Sequence, residues 1–189
     1  MRRTVIAAAV LLVGAAGGLT YYLDHPATRA NAAQNTTPAP ADAARTDGLE
    51  EAILAGGCFW CVEADFDKVP GVVSTTSGYT GGHKEFPRYR EVSSKSTGHI
   101  ESVSIVYDPK KVTYAQILDK YWHTIDPTDP QGQFCDKGEP YKTVIFVKDA
   151  EQERIARESK AAIERSGQLP KPVVTEIRPA SRFWAAAAA

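Results

Sequence analysis

Sulfur is scarce in this sequence. Its only methionine is Met1, and its only cysteines are Cys58, Cys61 and Cys135. Three cysteines are too few for a disulfide scaffold in a chain of 189 residues, and an odd count leaves at least one thiol unpaired, which favours chemistry over stapling. A protein living among oxidants gains from having few methionines, because sulfoxide formation disrupts packing; chance explains the single methionine equally well. Charge of one sign is lacking too. The 22 basic and 23 acidic residues leave a net charge of −1 with no basic stripe, which argues against a nucleic-acid partner. No internal repeat is visible, and the length fits one domain with an appendage.

The appendage is N-terminal. Arg2 and Arg3 precede an apolar run from Val5 to Leu23, the pattern of an export signal. Small residues at Ala30-Asn31-Ala32 suit cleavage but lie well beyond the run, and the run approaches the ~20 residues that span a bilayer. Residues 1–24 are therefore expected to be a signal peptide or an N-terminal membrane anchor, and the rest of a twin-arginine motif is missing. Either way the domain is expected to be exported, in a bacterium to the periplasm or cell envelope, held to the inner membrane by residues 4–23 if the leader is not cut. Residues 25–48, rich in Ala, Thr, Pro and Asn, have almost nothing to bury and read as a flexible linker. The sequon at Asn35-Thr36-Thr37 is taken as chance in such a composition.

Residues 49–189 form the expected domain. EEAILAGG (50–57) reads as a buried strand ending in a glycine turn, and CVEADFDKV (61–69) as a helix with Val62, Phe66 and Val69 on one face. Strands follow at 71–82 and 99–111. A helix over 113–126 opens with a Thr113/Gln116 capping box and carries a stripe of Ile117, Leu118, Tyr121, Trp122 and Ile125. TVIFV (143–147) is a buried strand, Asp149 and Gln152 cap a helix that stops at Gly167, and 172–180 is a last strand. The order β-α-β-β-α-β-α-β predicts an α+β fold, a two-layer sandwich with a mixed sheet related to the ferredoxin-like plan. The long loop 126–142 holds Cys135, Asp136 and Tyr141, and loops of that length in compact domains are usually functional or disordered.

The stretch LAGGCFWCVE (54–63) concentrates the chemistry. A strand, two glycines and a helix put Cys58 at a helix N-terminus, where unpaired N–H groups and the helix dipole favour a thiolate and so a nucleophile. Cys61 lies one turn on, able to trap an oxidised Cys58 as a disulfide. Two buried structural cysteines are the alternative. Of Phe59 and Trp60 only one can easily point inward, so some aromatic surface should line a cleft. Glu101 is a carboxylate in an otherwise apolar strand, on the same face as His99, and is a candidate general acid with a raised pKa; an edge or surface position is the plainer reading. Tyr89, Asp136 and Tyr141 lie in loops that could add hydroxyls or a second carboxylate.

Together these segments resemble a known family. GCFWCVEADFDKVPGVVSTTSGYTGG, FPRYREVSSKSTGHIESVSIVYDP, ILDKYWHTIDPTD and QGQFCDKGEPYKTVIF follow in the order and spacing of the A-type peptide methionine sulfoxide reductases, over about residues 50–183. The resemblance implies reduction of methionine S-sulfoxide, free or in proteins, by residues 49–189 as catalytic domain. It makes Cys58 the nucleophile, Glu101 the acid that protonates the sulfoxide oxygen, and Tyr89 and Tyr141 hydrogen-bond donors to that oxygen. Asp136 matches the family's acidic residue, and Phe59 and Trp60 would hold the S-methyl group. A thioredoxin-like dithiol is the expected reductant, and no cofactor, no metal and a monomer are expected.

Three departures stand out. Cys61 occupies a position that is often Gly in the family. Cys135 sits beside Asp136, so two thiols compete to resolve Cys58; Cys61 is expected to react first and Cys135 to carry the disulfide onward. The chain ends RFWAAAAA, with alanines where family members continue into an acidic, Tyr-His-Gln-containing tail, and pocket closure is expected to suffer. Two other functions fit some of the same residues. A thioredoxin-like thiol-disulfide oxidoreductase shares strand-turn-C-x-x-C-helix, but such motifs place Trp before the first Cys, and here Trp60 lies between the two. A Cys₃His zinc site would use Cys58, Cys61, Cys135 and His99.

Overall fold

The alternating and apolar runs assemble into one six-stranded sheet in the computed structural model, which describes residues 48–187. The expected leader or anchor, and all of the expected linker but Gly48, lie outside the described residues. Strand β1 (Glu50–Gly56) leads into helix α1 (Phe59–Phe66), strand β2 (Val72–Thr80), the short helix α2 (Tyr89–Ser93) and strand β3 (Ile100–Tyr107). Helix α3 (Tyr114–Trp122) follows, then a hairpin of β4 (Gly132–Gln133) and β5 (Asp136–Lys137), and a 3₁₀ turn at Glu139–Tyr141. Strand β6 (Thr143–Val147), helix α4 (Ala150–Arg165), and strands β7 (Glu176–Pro179) and β8 (Trp184–Ala185) complete the domain.

The sheet runs β7-β6-β1-β3-β2-β8. Its four middle strands, with α1 between β1 and β2 and α3 between β3 and β6, give the ferredoxin-like βαββαβ plan expected from the element order. All pairings are antiparallel except β6–β7, where α4 crosses back and makes the sheet mixed.

Several boundaries shift for local reasons. Helix α1 begins at Phe59 because the Cys58 carbonyl already accepts from Cys61 N (3.1 Å) and Val62 N (3.3 Å). β3 stops at Tyr107 because Asp108 opens a turn whose carbonyl takes the amides of Lys111 and Val112. The strand expected over 172–180 is the edge strand β7 and is shorter, since Val174 N bonds to Pro127 O outside the sheet. The short elements α2, β4, β5 and β8 carry too few residues to show a period.

Burial follows the two-fold alternation of the strands. Ala52 and Leu54 of β1, Val103 and Ile105 of β3, and Ile145 of β6 pack under Phe59, Val62 and Phe66 of α1 and Ile117, Leu118 and Tyr121 of α3. Ile53, Ala55, Ile100, Val144 and Phe146 face the other way and are covered by Phe183. That cover needs Gly78, because a Cβ there would lie 2.4 Å from Phe183 Cζ. The C-terminal segment also clasps the loop before α2. Trp184 meets Phe86 edge-on at 4.7 Å, and the Arg182 guanidinium lies 4.0 Å over the Trp184 ring.

Candidate active site

The centre of the site is a turn that only glycine can make. Gly57 adopts φ +89°, and a Cβ there would come 2.6 Å from Gln133 Cβ. The strand can therefore reverse into α1 with the β4–β5 hairpin pressed against it. Gln133 is buried and ties the hairpin down, accepting from Asp126 N at 2.7 Å and donating to Asp126 O at 2.8 Å. Cys58 is the N-cap of α1, its side chain makes no capping hydrogen bond, and no acidic residue occupies the helix's first turn. No side chain of the turn itself therefore offsets the positive end of the helix beside this partly exposed thiol.

The first amide of that helix reaches across to β3. Phe59 N–H donates to Glu101 Oε2 at 3.2 Å, which brings the carboxyl alongside the residue next to Cys58. Glu101 is 1% exposed, and its Oε1 has no hydrogen-bond partner. Burial dominates its ionisation and pushes the carboxyl up to about 7; the Phe59 N–H opposes this, and the charge of Asp136 adds to it. Because Oε2 accepts an N–H, the proton belongs on Oε1, the buried oxygen left without a partner.

Aromatic rings wall this carboxyl. Phe59 turns inward at 1% exposure, while Trp60 stays 51% exposed, as expected from a turn with room for one inward ring. Trp60 stacks on Tyr89 at 5.8 Å, and Phe59 packs against Trp60 at 5.1 Å and Tyr79 at 5.6 Å. Tyr141 sits in the 3₁₀ turn. Burial first, then the charges of Glu101, Tyr89, Asp136 and Cys58, push its hydroxyl up to about 12. Tyr89 is raised by burial and by Glu101, Cys58 and Asp136. The same neighbours thus act on both hydroxyls, which remain protonated donors at physiological pH, and the hairpin delivers Asp136 to the group.

The three thiols differ. Cys61 is raised by burial, then by its hydrogen bond with Cys58 and by the charges of Cys58, Asp136 and Asp65, so it stays protonated next to Cys58. Cys135 is exposed at the hairpin tip, after Phe134 at φ +46°. All three thiols are free. His99 belongs elsewhere. Its Nδ1 accepts from Gly82 N–H at 3.1 Å, so Nε2 carries the hydrogen and donates to Lys84 O at 2.7 Å. Both ring nitrogens are spent on backbone, which removes the histidine that a Cys₃His zinc set requires. Sequence reasoning missed Tyr79 and Gln133. Strand alternation could have flagged Tyr79, which lies opposite Glu101 in the β2–β3 register; nothing local marks Gln133.

Comparison with known proteins agrees with this chemistry. The family model described as peptide methionine sulfoxide reductase matches residues 50–189. This chain belongs to that family. Peptide methionine sulfoxide reductase MsrA of Ligilactobacillus salivarius (strain UCC118) is 53% identical over 137 residues, covering 72% of this chain and 80% of that protein. Among solved structures, methionine sulfoxide reductase A of Corynebacterium diphtheriae is similar with a TM-score of 0.65 at 29% identity, covering 75% of this chain and 72% of that one. Mxr1 from Saccharomyces cerevisiae in reduced form is similar with a TM-score of 0.70 at 26% identity, covering 74% and 81%. Mxr1 in complex with Trx2 shares the fold at a TM-score of 0.53 and 18% identity, covering 75% and 85%. As a peptide methionine sulfoxide reductase the chain is an oxidoreductase that reduces methionine sulfoxide through its thiols and so repairs oxidised protein. Membership of the peptide methionine sulfoxide reductase family decides against a thioredoxin-like oxidoreductase.

Proposed function

We propose that Cys58 attacks the sulfur of methionine S-sulfoxide while Glu101 gives its oxygen a proton. A sulfoxide sulfur is a poor electrophile until its oxygen is protonated or strongly hydrogen-bonded, so a thiolate needs a neutral acid on the far side of the S–O bond. Glu101 Oε1 carries that proton, and Tyr89 and Tyr141 donate to the same oxygen. Trp60 offers its open face to the S-methyl group with Phe59 bracing it from below, and Asp136 helps keep Glu101 protonated.

Two electrons pass from the Cys58 sulfur to the substrate. The oxygen moves to Cys58 as a sulfenic acid, and methionine leaves as a thioether. Cys61 then attacks the sulfenic sulfur, its proton and the hydroxyl leave as water, and a Cys58–Cys61 disulfide forms. Cys135 exchanges into that disulfide, and a thioredoxin-like dithiol resets the enzyme. Trx2 is the partner of yeast Mxr1 in its complex, and a small dithiol protein of that kind suits the exposed Cys61 and Cys135.

The observation that carries this reading is the buried Glu101 carboxyl, held by the amide beside Cys58 with its other oxygen unpartnered. Mass spectrometry after one turnover with each cysteine replaced by Ser tests it. Cys58→Ser releases no methionine; Cys61→Ser releases one equivalent and leaves Cys58 oxidised or bridged to Cys135; Cys135→Ser still forms the Cys58–Cys61 bridge. One equivalent of methionine from Cys58→Ser would sink the assignment.

The same reading places the enzyme outside the cytoplasm, on the strength of the charge and apolar run in residues 1–24. Fractionation of cells carrying the full chain, with sizing of the mature N-terminus, separates a cut leader from an anchor.

A further inference from the structure

Strand β2 brings a third tyrosine to the carboxyl. Tyr79 pairs directly with Glu101 in the antiparallel β2–β3 register, and opposite residues of such a pair share a face with Cβ atoms about 4.5–5.5 Å apart. Its ring packs at 5.6 Å on Phe59, the residue whose amide holds Glu101. The side chain is 2% exposed. Tyrosines buried this deeply normally spend the hydroxyl on a protein acceptor. Tyr121 donates to Ala55 O at 2.7 Å, and Tyr107 to Glu50 Oε2 at 2.8 Å. The Tyr79 hydroxyl has no such acceptor among the described residues, and it differs from the orphaned hydroxyl of Tyr114 in lying opposite Glu101. Burial, then the charges of Glu101, Tyr89 and Tyr141, hold it protonated up to about 12. An unspent O–H therefore lies within electrostatic reach of the same three groups assigned to the sulfoxide oxygen.

We propose that Tyr79 is a catalytic residue of this enzyme, a third hydroxyl that donates a hydrogen bond to the sulfoxide oxygen from the β2 side. This rests on the reading in which Glu101, Tyr89 and Tyr141 surround that oxygen. The S–O bond is strongly polarised and its oxygen has lone pairs for several donors. Negative charge gathers there as Cys58 attacks, and a donor fixed in place beforehand stabilises it without reorganisation. The sheet register fixes Tyr79 more rigidly than the turn fixes Tyr141.

The test separates oxygen recognition from packing. Cys58→Ser, which cannot turn the substrate over, is titrated calorimetrically with the S-sulfoxide of N-acetylmethionine amide and with N-acetylmethionine amide itself, which differs only by the oxygen. Adding Tyr79→Phe is expected to weaken sulfoxide binding about tenfold and to leave thioether binding unchanged. With Cys58 present, Tyr79→Phe lowers kcat/KM at least about tenfold, whereas Tyr114→Phe, which removes a buried hydroxyl that also lacks an acceptor among the described residues, leaves it unchanged. Full sulfoxide affinity in the Tyr79→Phe protein, or equal weakening of both ligands, overturns the proposal. Sulfoxide consumption by Cys58→Ser would instead sink the underlying reading of the site, and a Cys58→Ser parent that binds the two ligands equally would remove the oxygen site as a whole, Tyr79 included.

Discussion

Helices α1 and α3 lie under the same sheet and begin in opposite ways. Helix α3 opens with a closed box: Thr113 Oγ1 accepts from Gln116 N at 3.3 Å, and Gln116 Oε1 accepts from Thr113 N at 2.9 Å. Helix α1 opens on Cys58, whose side chain caps nothing, and its first amide is given to Glu101 on another strand. One start is built to hold the helix; the other gives up a cap worth about 0.5–2 kcal/mol so that a thiol and an acid share one helix end. Local stability and local chemistry compete for the same few N–H groups, and the difference between the two helices shows which won at each.

The contrast breaks most completely at Cys58. Cys58→Ser converts α1 to the kind of start α3 has, since serine is a favoured N-cap. Turnover should fall by three orders of magnitude or more, because an alcohol does not ionise or take up the sulfoxide oxygen under these conditions. Meanwhile the thermal midpoint should rise, by the equivalent of about 1 kcal/mol, as a first-turn amide that the Cys58 side chain leaves uncapped finds an oxygen. Activity assays beside calorimetric melting check both; loss of activity with loss of stability would mean that the cysteine has a packing role instead.

Glu101→Gln comes next. The proposed proton donor is removed while its shape stays, so kcat/KM should fall about 10²–10³-fold. The native enzyme's activity should decline as pH rises through about 7, where the carboxyl loses its proton, and the Gln variant should lose that limb. The folded carboxyl is raised above its unfolded value. Stability is therefore greatest below the unfolded pKa, falls as pH rises from there through about 7, and is level beyond it. At pH 8 the buried charge costs on the order of 3 kcal/mol, and Glu101→Gln should recover much of it. Denaturant titrations of both proteins at pH 5 and pH 8 read this directly: their difference should be larger at pH 8.

How far the sequence reveals this depends on whether a feature is local. The capping box of α3 is legible because Thr113 and Gln116 are neighbours on one turn, and the apolar runs of β1 and β6 are legible because both strand faces are buried. Glu101 stands out as a lone carboxylate among Ile100, Val103 and Ile105. Cys58 stands out because two glycines precede it. The placements of Tyr79 and His99 depend on the fold. Tyr79 needs the β2–β3 register to meet Glu101, and His99, grouped by its strand face with the acid, in fact locks Gly82 and Lys84. The length of the loop 126–142 flags Asp136 and Tyr141, and the family resemblance suggests their roles. The physical reason they approach Cys58 is Gln133 seated against Gly57, a contact between residues far apart in the chain.

The smallest effect sharpens the comparison from the side of α3. Thr113→Ala removes the acceptor for Gln116 N and frees the Gln116 side chain, which should cost about 1 kcal/mol of stability. Helix α3 packs its buried face of Ile117, Leu118 and Tyr121 against the sheet, and Tyr121 donates to Ala55 O only three residues before Cys58. If capping and chemistry are divided between the helices as argued, the loss must stop at stability, because the anchoring of Tyr121 depends on burial deep in the core and not on the first turn. A lowered thermal midpoint with unchanged kcat/KM at 25 °C is therefore expected. A fall in kcat/KM at a temperature where the variant is fully folded would show that the start of α3 also positions the Gly56-Gly57 turn, and the division between the two helix ends would be lost.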